Sequence, residues 1–106
     1  MVKVFISQPM RGLTEEQILK DRNEAIKYIK NGVECLEQQL EVIESYFEDY
    51  NPKQGCVPLK YLAKSLELLA DADIALFIGD WENARGCKIE HECAKEYGVK
   101  IAYMPK

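Results

Sequence analysis

The chain has 106 residues, 47% of them apolar and 30% charged, with a formal net charge of −4. That composition suits one globular domain with one core over residues 1–106, and the lack of a basic block argues against binding a nucleic acid polymer. No apolar run approaches membrane length, and the opening MVKVFISQP reads as a strand rather than a secretion signal, so a cytoplasmic protein with no membrane attachment is expected.

In chain order, residues 2–7 (VKVFIS) are β-branched and aromatic with little alternation, as in a strand buried on both faces of a parallel sheet. A loop over 8–13 follows, punctuated by Pro9 and Gly12. Thr14-Glu15-Glu16-Gln17 is a capping box that starts a helix, and Asn31-Gly32 stops it near Lys30. Its apolar stripe is Ile18, Leu19, Ala25, Ile26 and Ile29, reaching toward Val33. Arg22 interrupts the stripe, either as a core-edge arginine paired with a carboxylate or as one directed at a pocket anion.

Residues 34–39 are ambiguous, and LEVIES at 40–45 reads as a second strand. The loop at 46–56, YFEDYNPKQGC, carries aromatics suited to a lid, a subunit contact or packing over the core edge. Pro58 fits the first turn of a second helix with the stripe Leu59, Leu62, Ala63, Leu66, Leu69 and Ala70. Ala72-Asp73 breaks that helix, and IALFI at 74–78 is a third strand. A loop over 79–85 leads to a short helix that opens with Gly86 and ends at Gly98. KIAY at 100–103 is the last strand.

Alternating strands and helices imply a parallel sheet covered on both faces. The expected fold is a small flavodoxin-like (Rossmann-like) α/β three-layer sandwich with strand order 2-1-3-4. Its topological switch point lies between strands one and three, so the loops after those strands line a crevice.

The last helix begins at that crevice. At about 100° per residue, Gly86, Ile89, Cys93, Ala94 and Tyr97 form one stripe, and Lys88, His91, Glu92, Lys95 and Glu96 lie opposite. The single histidine, His91, is therefore expected to be solvated. Glu90 sits inside the apolar stripe, where an ionised carboxylate is costly unless it is paired or lines a cavity. Two roles are open to it: a structural pair at the stripe's edge, or a carboxylate facing a pocket above the strand ends. Gly86 lets backbone approach a ligand, and the helix dipole favours an anion in the first turns.

The first loop offers Ser7, Gln8, Arg11 and Gly12 before a helix N-terminus, groups that can hold a phosphate or carboxylate; a solvated Arg11 is the alternative. The second loop offers Asp80, Trp81, Asn83 and Arg85. Trp81 suits stacking on a planar ring or capping the core. Cys35, Cys56, Cys87 and Cys93 lack CxxC spacing, which argues against a zinc site or dithiol motif. They are read as reduced thiols, and Cys87, with no base beside it, as structural.

The motifs VFISQPMRG, LAKSLELLADADIALFIGDW and ARGCKIEHECAKEYGVKI resemble those of the nucleoside 2-deoxyribosyltransferase superfamily, most closely a small bacterial and phage branch of it. Family enzymes carry Gly-Thr-x-x-Glu-x-Gly-x-Ala with the Glu as nucleophile. Gly86, Glu90 and Ala94 match, whereas Cys87 replaces Thr and Glu92 replaces Gly. Pro9-Met10-Arg11-Gly12 is similar to the loop that contacts a 5′-phosphate in the related deoxynucleotide N-glycosidases.

The resemblance implies Glu90 as nucleophile and Asp80 as the group that protonates or positions the base. Ser7, Gln8, Met10, Arg11, Gly12, Trp81, Asn83 and Gly86 would bind substrate. It further implies a (deoxy)nucleoside or nucleoside 5′-monophosphate as the small-molecule partner, no metal or other cofactor, and a homodimer or larger homo-oligomer. Burial is expected to raise Asp80 while the helix dipole keeps Glu90 ionised. The rival reading is a nucleotide-binding module without catalysis; a purely structural protein would have no use for Glu90 in the stripe.

Overall fold

The innermost strand is β1, Val2–Ser7, whose last four residues are buried. The computed structural model describes residues 2–32, 40–46 and 52–105. Val33, Cys35, the ambiguous stretch 34–39 and loop residues 47–51 lie outside the described residues. β1 pairs in parallel with β2 (Leu40–Val42) on one side and β3 (Ile74–Phe77) on the other. β4 (Lys100–Tyr103) pairs in parallel with β3, giving the order β2-β1-β3-β4. The expected flavodoxin-like order is the one observed. Strands β2 and β3 are shorter than the apolar runs that announce them. Ile43 and Ile78 still donate to β1, at 2.8 Å to the Val4 carbonyl and 3.2 Å to that of Ser7.

Side chains alternate across β1, so the sheet has two cores. Val4 and Ile6 pack with Ala25 and Ile29 of α1 (Glu15–Gly32). Phe5 packs on the opposite face with Ala75, Phe77, Leu69 and Ala94. Leu69 closes α2 (Val57–Leu69), and Ala94 belongs to α3 (Arg85–Glu96). Among the described residues, no helix is long and apolar enough to cross a membrane.

Thr14 caps α1 as expected, its Oγ1 accepting from the Gln17 N–H at 3.1 Å. The Gln17 side chain does not complete the box; it donates to Asp21 instead, at 2.8 Å. The helix also runs through Asn31 and Gly32 rather than stopping at Lys30. Ile18, Ala25 and Ile29 are buried, but Leu19 is exposed.

Arg22 is buried and turns inward to neutral groups. It donates to Ser45 Oγ at 3.0 Å and to the Ile43 carbonyl at 2.8 Å, and Ser45 donates to the Ile6 carbonyl at 3.2 Å. Its carboxylate partner, Glu44, is 3.7 Å away and exposed. Burial lowers the Arg22 pKa, and Glu44 partly offsets that. Arg22 thus ties α1 to the chain beyond β2; its partner Ser45 lines the crevice, whereas Arg22 itself does not. Arg22→Ala is expected to destabilise by about 2–4 kcal/mol, since it removes charge-assisted bonds and strands buried acceptors. Urea unfolding checks this; a change near zero would show that the tie carries no stability.

The two remaining helices keep part of their expected stripes, Leu62, Leu66 and Leu69 on α2 and Cys93 and Ala94 on α3, and lose the rest. On α2 only Leu69 is fully buried. Pro58, Leu62 and Ser65 line the crevice, Leu69 reaches the core, and Leu66 packs against it. Leu59, Ala63 and Ala70, expected inside, are exposed. On α3 the buried residues are Cys87, Glu90 and Ala94. Ile89 is partly exposed and Tyr97 is 85% exposed.

His91 is not solvated. It stacks on Trp81 at 4.5 Å, meets Phe77 edge-on at 5.0 Å, and its Nε2 hydrogen-bonds the Tyr103 hydroxyl at 2.7 Å. A flat ring that can stack has a good seat beside β4, and Glu90 finds a hydroxyl partner in Ser7. Together these set the helix phase against the aliphatic count.

Candidate active site

The crevice lies over the C-terminal ends of β1 and β3, at the topological switch point. It is a broad trough of about 1880 Å³, beyond the roughly 300–1,000 Å³ of a typical closed pocket. Its size therefore selects no ligand, and the side chains on its walls must do so. Ser7, at the end of β1, faces Glu90, the sixth residue of α3. The Ser7 hydroxyl donates to Glu90 Oε1 at 2.6 Å. Glu90 is only 7% exposed, and it lines the crevice. Its hydrogen-bond partner is the Ser7 hydroxyl of β1, and no ion pair reaches it among the described residues.

Burial dominates this carboxyl. It raises Glu90 from an ordinary 4.5 to about 7, against the pull of the Ser7 and Ser65 hydroxyls. The expectation of a dipole-held ionised Glu90 is corrected, because the helix field fades beyond the first turn. Asp80 is exposed and lacks the burial that the opposite expectation needed. It lines the crevice and accepts from Asn83 Nδ2 at 2.8 Å across a single 3₁₀ turn, Trp81–Asn83. Cys87 is buried, and burial together with the Glu90 charge pushes its thiol up to about 11 although the Ser7 hydroxyl lowers it. It is a neutral wall residue.

The first loop contributes Gln8, Met10 and Arg11 to the crevice. Leu13 N–H closes a tight turn on the Met10 carbonyl at 3.1 Å, with Gly12 at φ 81°. A side chain would be strained there. Gly12 therefore shapes the turn that presents Arg11, and it is not itself among the lining residues. Arg11 is exposed and enters no ion pair among the described residues. Gln8 donates from Nε2 to the Ile18 carbonyl at 3.0 Å, which fixes its amide, and leaves a buried Oε1 without a partner.

The second loop contributes Asp80 and Asn83, and the first turn of α3 contributes Gly86. A Cβ added at Gly86 would meet nothing within 4 Å, so this glycine widens the mouth of the crevice rather than relieving a clash. Trp81 is not among the lining residues. It packs against both His91 at 4.5 Å and Tyr103 at 5.6 Å, two rings that also meet each other, and it covers the core there. Glu92 also lies off the crevice, pairing with Lys95 at 3.2 Å. Among the described residues no group of histidine, cysteine and acidic side chains is arranged to hold a metal ion.

Sequence reasoning missed Ser65. The available signal was a polar residue four before Leu69 and seven after Pro58, on the stripe that does face inward. It was hidden because the apolar count ran through Leu59, Ala63 and Ala70, which are exposed.

The chain is thus a parallel flavodoxin-like α/β sandwich with a buried carboxyl at its switch point and, among the described residues, no ion pair to it. Residues 2–103 match DUF4406, described as a domain of unknown function, and the chain belongs to this family. Neither a curated protein nor a solved structure matches the chain.

Proposed function

We propose that the protein cleaves or transfers the N-glycosidic bond of (deoxy)nucleosides or nucleoside 5′-monophosphates, with Glu90 as nucleophile. The substrate class rests on the resemblance of the loop and helix motifs to nucleoside 2-deoxyribosyltransferases. The observation that carries the chemistry is Glu90 itself: a carboxyl almost wholly buried, lining the crevice, bonded to the Ser7 hydroxyl and, among the described residues, in no ion pair with an arginine. Had Arg22 covered it, or had it faced bulk water, a catalytic role would have no support.

In this mechanism ionised Glu90 attacks C1′ of the sugar. The C1′–N bond breaks, and its electron pair leaves with the base. Asp80, at the crevice rim, supplies or relays the proton the base takes up. A glycosyl ester on Glu90 remains until water or a second base displaces it, with retention at C1′. Arg11, exposed and without an ion pair among the described residues, is placed to meet a 5′-phosphate. The test is base release from a panel of nucleosides and 5′-monophosphates, read by chromatography. No release from any of them would remove this reading.

A second reading has its own observation. A carboxyl raised to about 7 is half neutral at neutral pH. A neutral acid hydrogen-bonds a ligand without attacking it. A nucleotide that raises the melting temperature without losing its base would select this binding module.

The same proposal includes a homo-oligomer. Leu59 is 60% exposed, and Ala63 and Ala70 continue its line along α2. A second subunit would cover this stripe and border the crevice, which Leu59 also lines. Leu59→Glu is expected to shift the wild-type oligomer to monomer in sedimentation analysis. A monomeric wild type would sink the idea.

A further inference from the structure

We propose that Gln8 is a specificity residue whose side-chain Oε1 accepts a hydrogen bond from the 3′-hydroxyl of the substrate's sugar. The inference rests on the reading of the protein as an enzyme of N-glycosidic bonds. It names the substrate group that is recognised and the atom that recognises it.

The observation is an acceptor with nothing to accept. Gln8 is 7% exposed and lines the crevice beside Ser7. Its Nε2 donates to the Ile18 carbonyl at 3.0 Å. Turning the amide over would set two oxygens against each other, so that bond decides which end is the oxygen. Oε1 is buried and has no hydrogen-bond partner among the described residues. Buried polar groups are nearly always paired, because an unpaired one has lost its water without replacement. A donor brought by a bound molecule would complete this one.

The other acceptors on the crevice wall differ. Asp21 accepts from Gln17 and Asp80 from Asn83, each at 2.8 Å, and Glu24 is exposed to water. Gln8 Oε1 is covered in the free protein, so a ligand meets it after a small turn about the terminal side-chain torsion, which is soft. Ile18 lies near the start of α1, and its carbonyl keeps its place in the helix ladder if the Gln8 bond lengthens.

The mechanism selects the donor. Attack on C1′ puts the sugar over the Ser7–Glu90 pair. Gln8 follows Ser7, with Cα atoms about 3.8 Å apart, which brings its side chain to the sugar. The 2′-hydroxyl is absent from deoxynucleosides, and the 5′-oxygen is esterified in the monophosphates. The 3′-hydroxyl is the donor that every member of the substrate class keeps.

This bond should count for more than an ordinary one. A hydrogen bond usually nets little because both partners give up water to make it. Gln8 Oε1 gave up its water when the chain folded, so only the hydroxyl's desolvation opposes the bond.

The test is calorimetric binding of 2′-deoxynucleoside 5′-monophosphates and their 2′,3′-dideoxy counterparts. It is run in a Glu90→Gln background, which holds substrate without cleaving it, with and without Gln8→Met. Methionine keeps the length of the side chain and removes the amide. With Gln8 present, the 3′-hydroxyl is expected to tighten binding by roughly tenfold or more. With Gln8→Met the two ligands should bind about equally.

Equal binding of the pair with Gln8 present overturns the proposal, and that comparison stands even if Gln8→Met does not fold. A folded Gln8→Met protein that still prefers the 3′-hydroxyl overturns it as well. If the wild type releases no base, the glycosidic reading falls, and the calorimetry still decides the role of Gln8. If no nucleotide binds, both fall.

Discussion

Glu90→Ala is expected to lower base release by at least on the order of a thousandfold, because it removes the atom that forms the glycosyl ester. Glu90→Gln should fail as badly, since an amide keeps the shape and the hydrogen bonds but not the nucleophile. In the wild type, activity should rise with pH and level off above about 7, where the buried carboxyl has lost its proton. The check is kcat/KM across pH with the best substrate of the panel. A flat profile, or a glutamine variant that keeps its rate, would show that Glu90 does not attack. The Cys87 thiol does not compete for this role, since burial holds it neutral.

The second large effect concerns stability and has the opposite sign. The Glu90 carboxyl titrates near 4.5 when unfolded and near 7 when folded. Between those values the folded chain keeps a proton that the unfolded chain has released. Its contribution is therefore complete below about 4.5 and is lost as pH rises through 7. The loss is on the order of 3 kcal/mol, a large share of what a domain of this size has. Glu90→Gln cannot ionise, so it should be more stable than wild type at pH ~8, with the two converging near pH ~5. Urea unfolding of both proteins at the two pH values checks this. Parallel curves would mean that Glu90 is not burdened by burial. Together the two predictions describe a residue that destabilises the fold in the charge state it needs for chemistry, a trade found at many active sites.

The sheet was legible because its strands are short, apolar runs separated by helices, and parallel order follows from that alternation. Val4, Phe5 and Ile6, or Ala75, Leu76 and Phe77, are apolar on both faces and admit no other placement. Glu90 was legible because a charge within an apolar stripe has few inexpensive explanations. The helix faces were harder to read. On α2 the count of apolar residues found Leu62, Leu66 and Leu69, which do face inward, but it also drew in the exposed Leu59, Ala63 and Ala70 and passed over Ser65. On α3 the aromatic seat of His91 decided the phase, and ring stacking leaves no aliphatic period in the sequence. The ordering of Glu90 and Asp80 failed for a related reason. Burial outweighs a helix dipole, and sequence position does not reveal that Asp80 stands in solvent. Trp81 illustrates the ambiguity of a loop aromatic: it had a core role and a ligand role open to it, and its stack on His91 takes it away from the crevice.

That stack gives the protein a built-in optical reporter. Trp81 is the sole tryptophan, and its indole lies 4.5 Å from the His91 imidazole and 5.6 Å from the Tyr103 ring. His91 is the residue after Glu90, about 100° further round the same helix. The fluorophore therefore rides on the helix that carries the carboxyl without standing where a ligand would sit. A change in emission on adding a nucleotide would register movement of that helix against the edge strand, free of direct contact quenching.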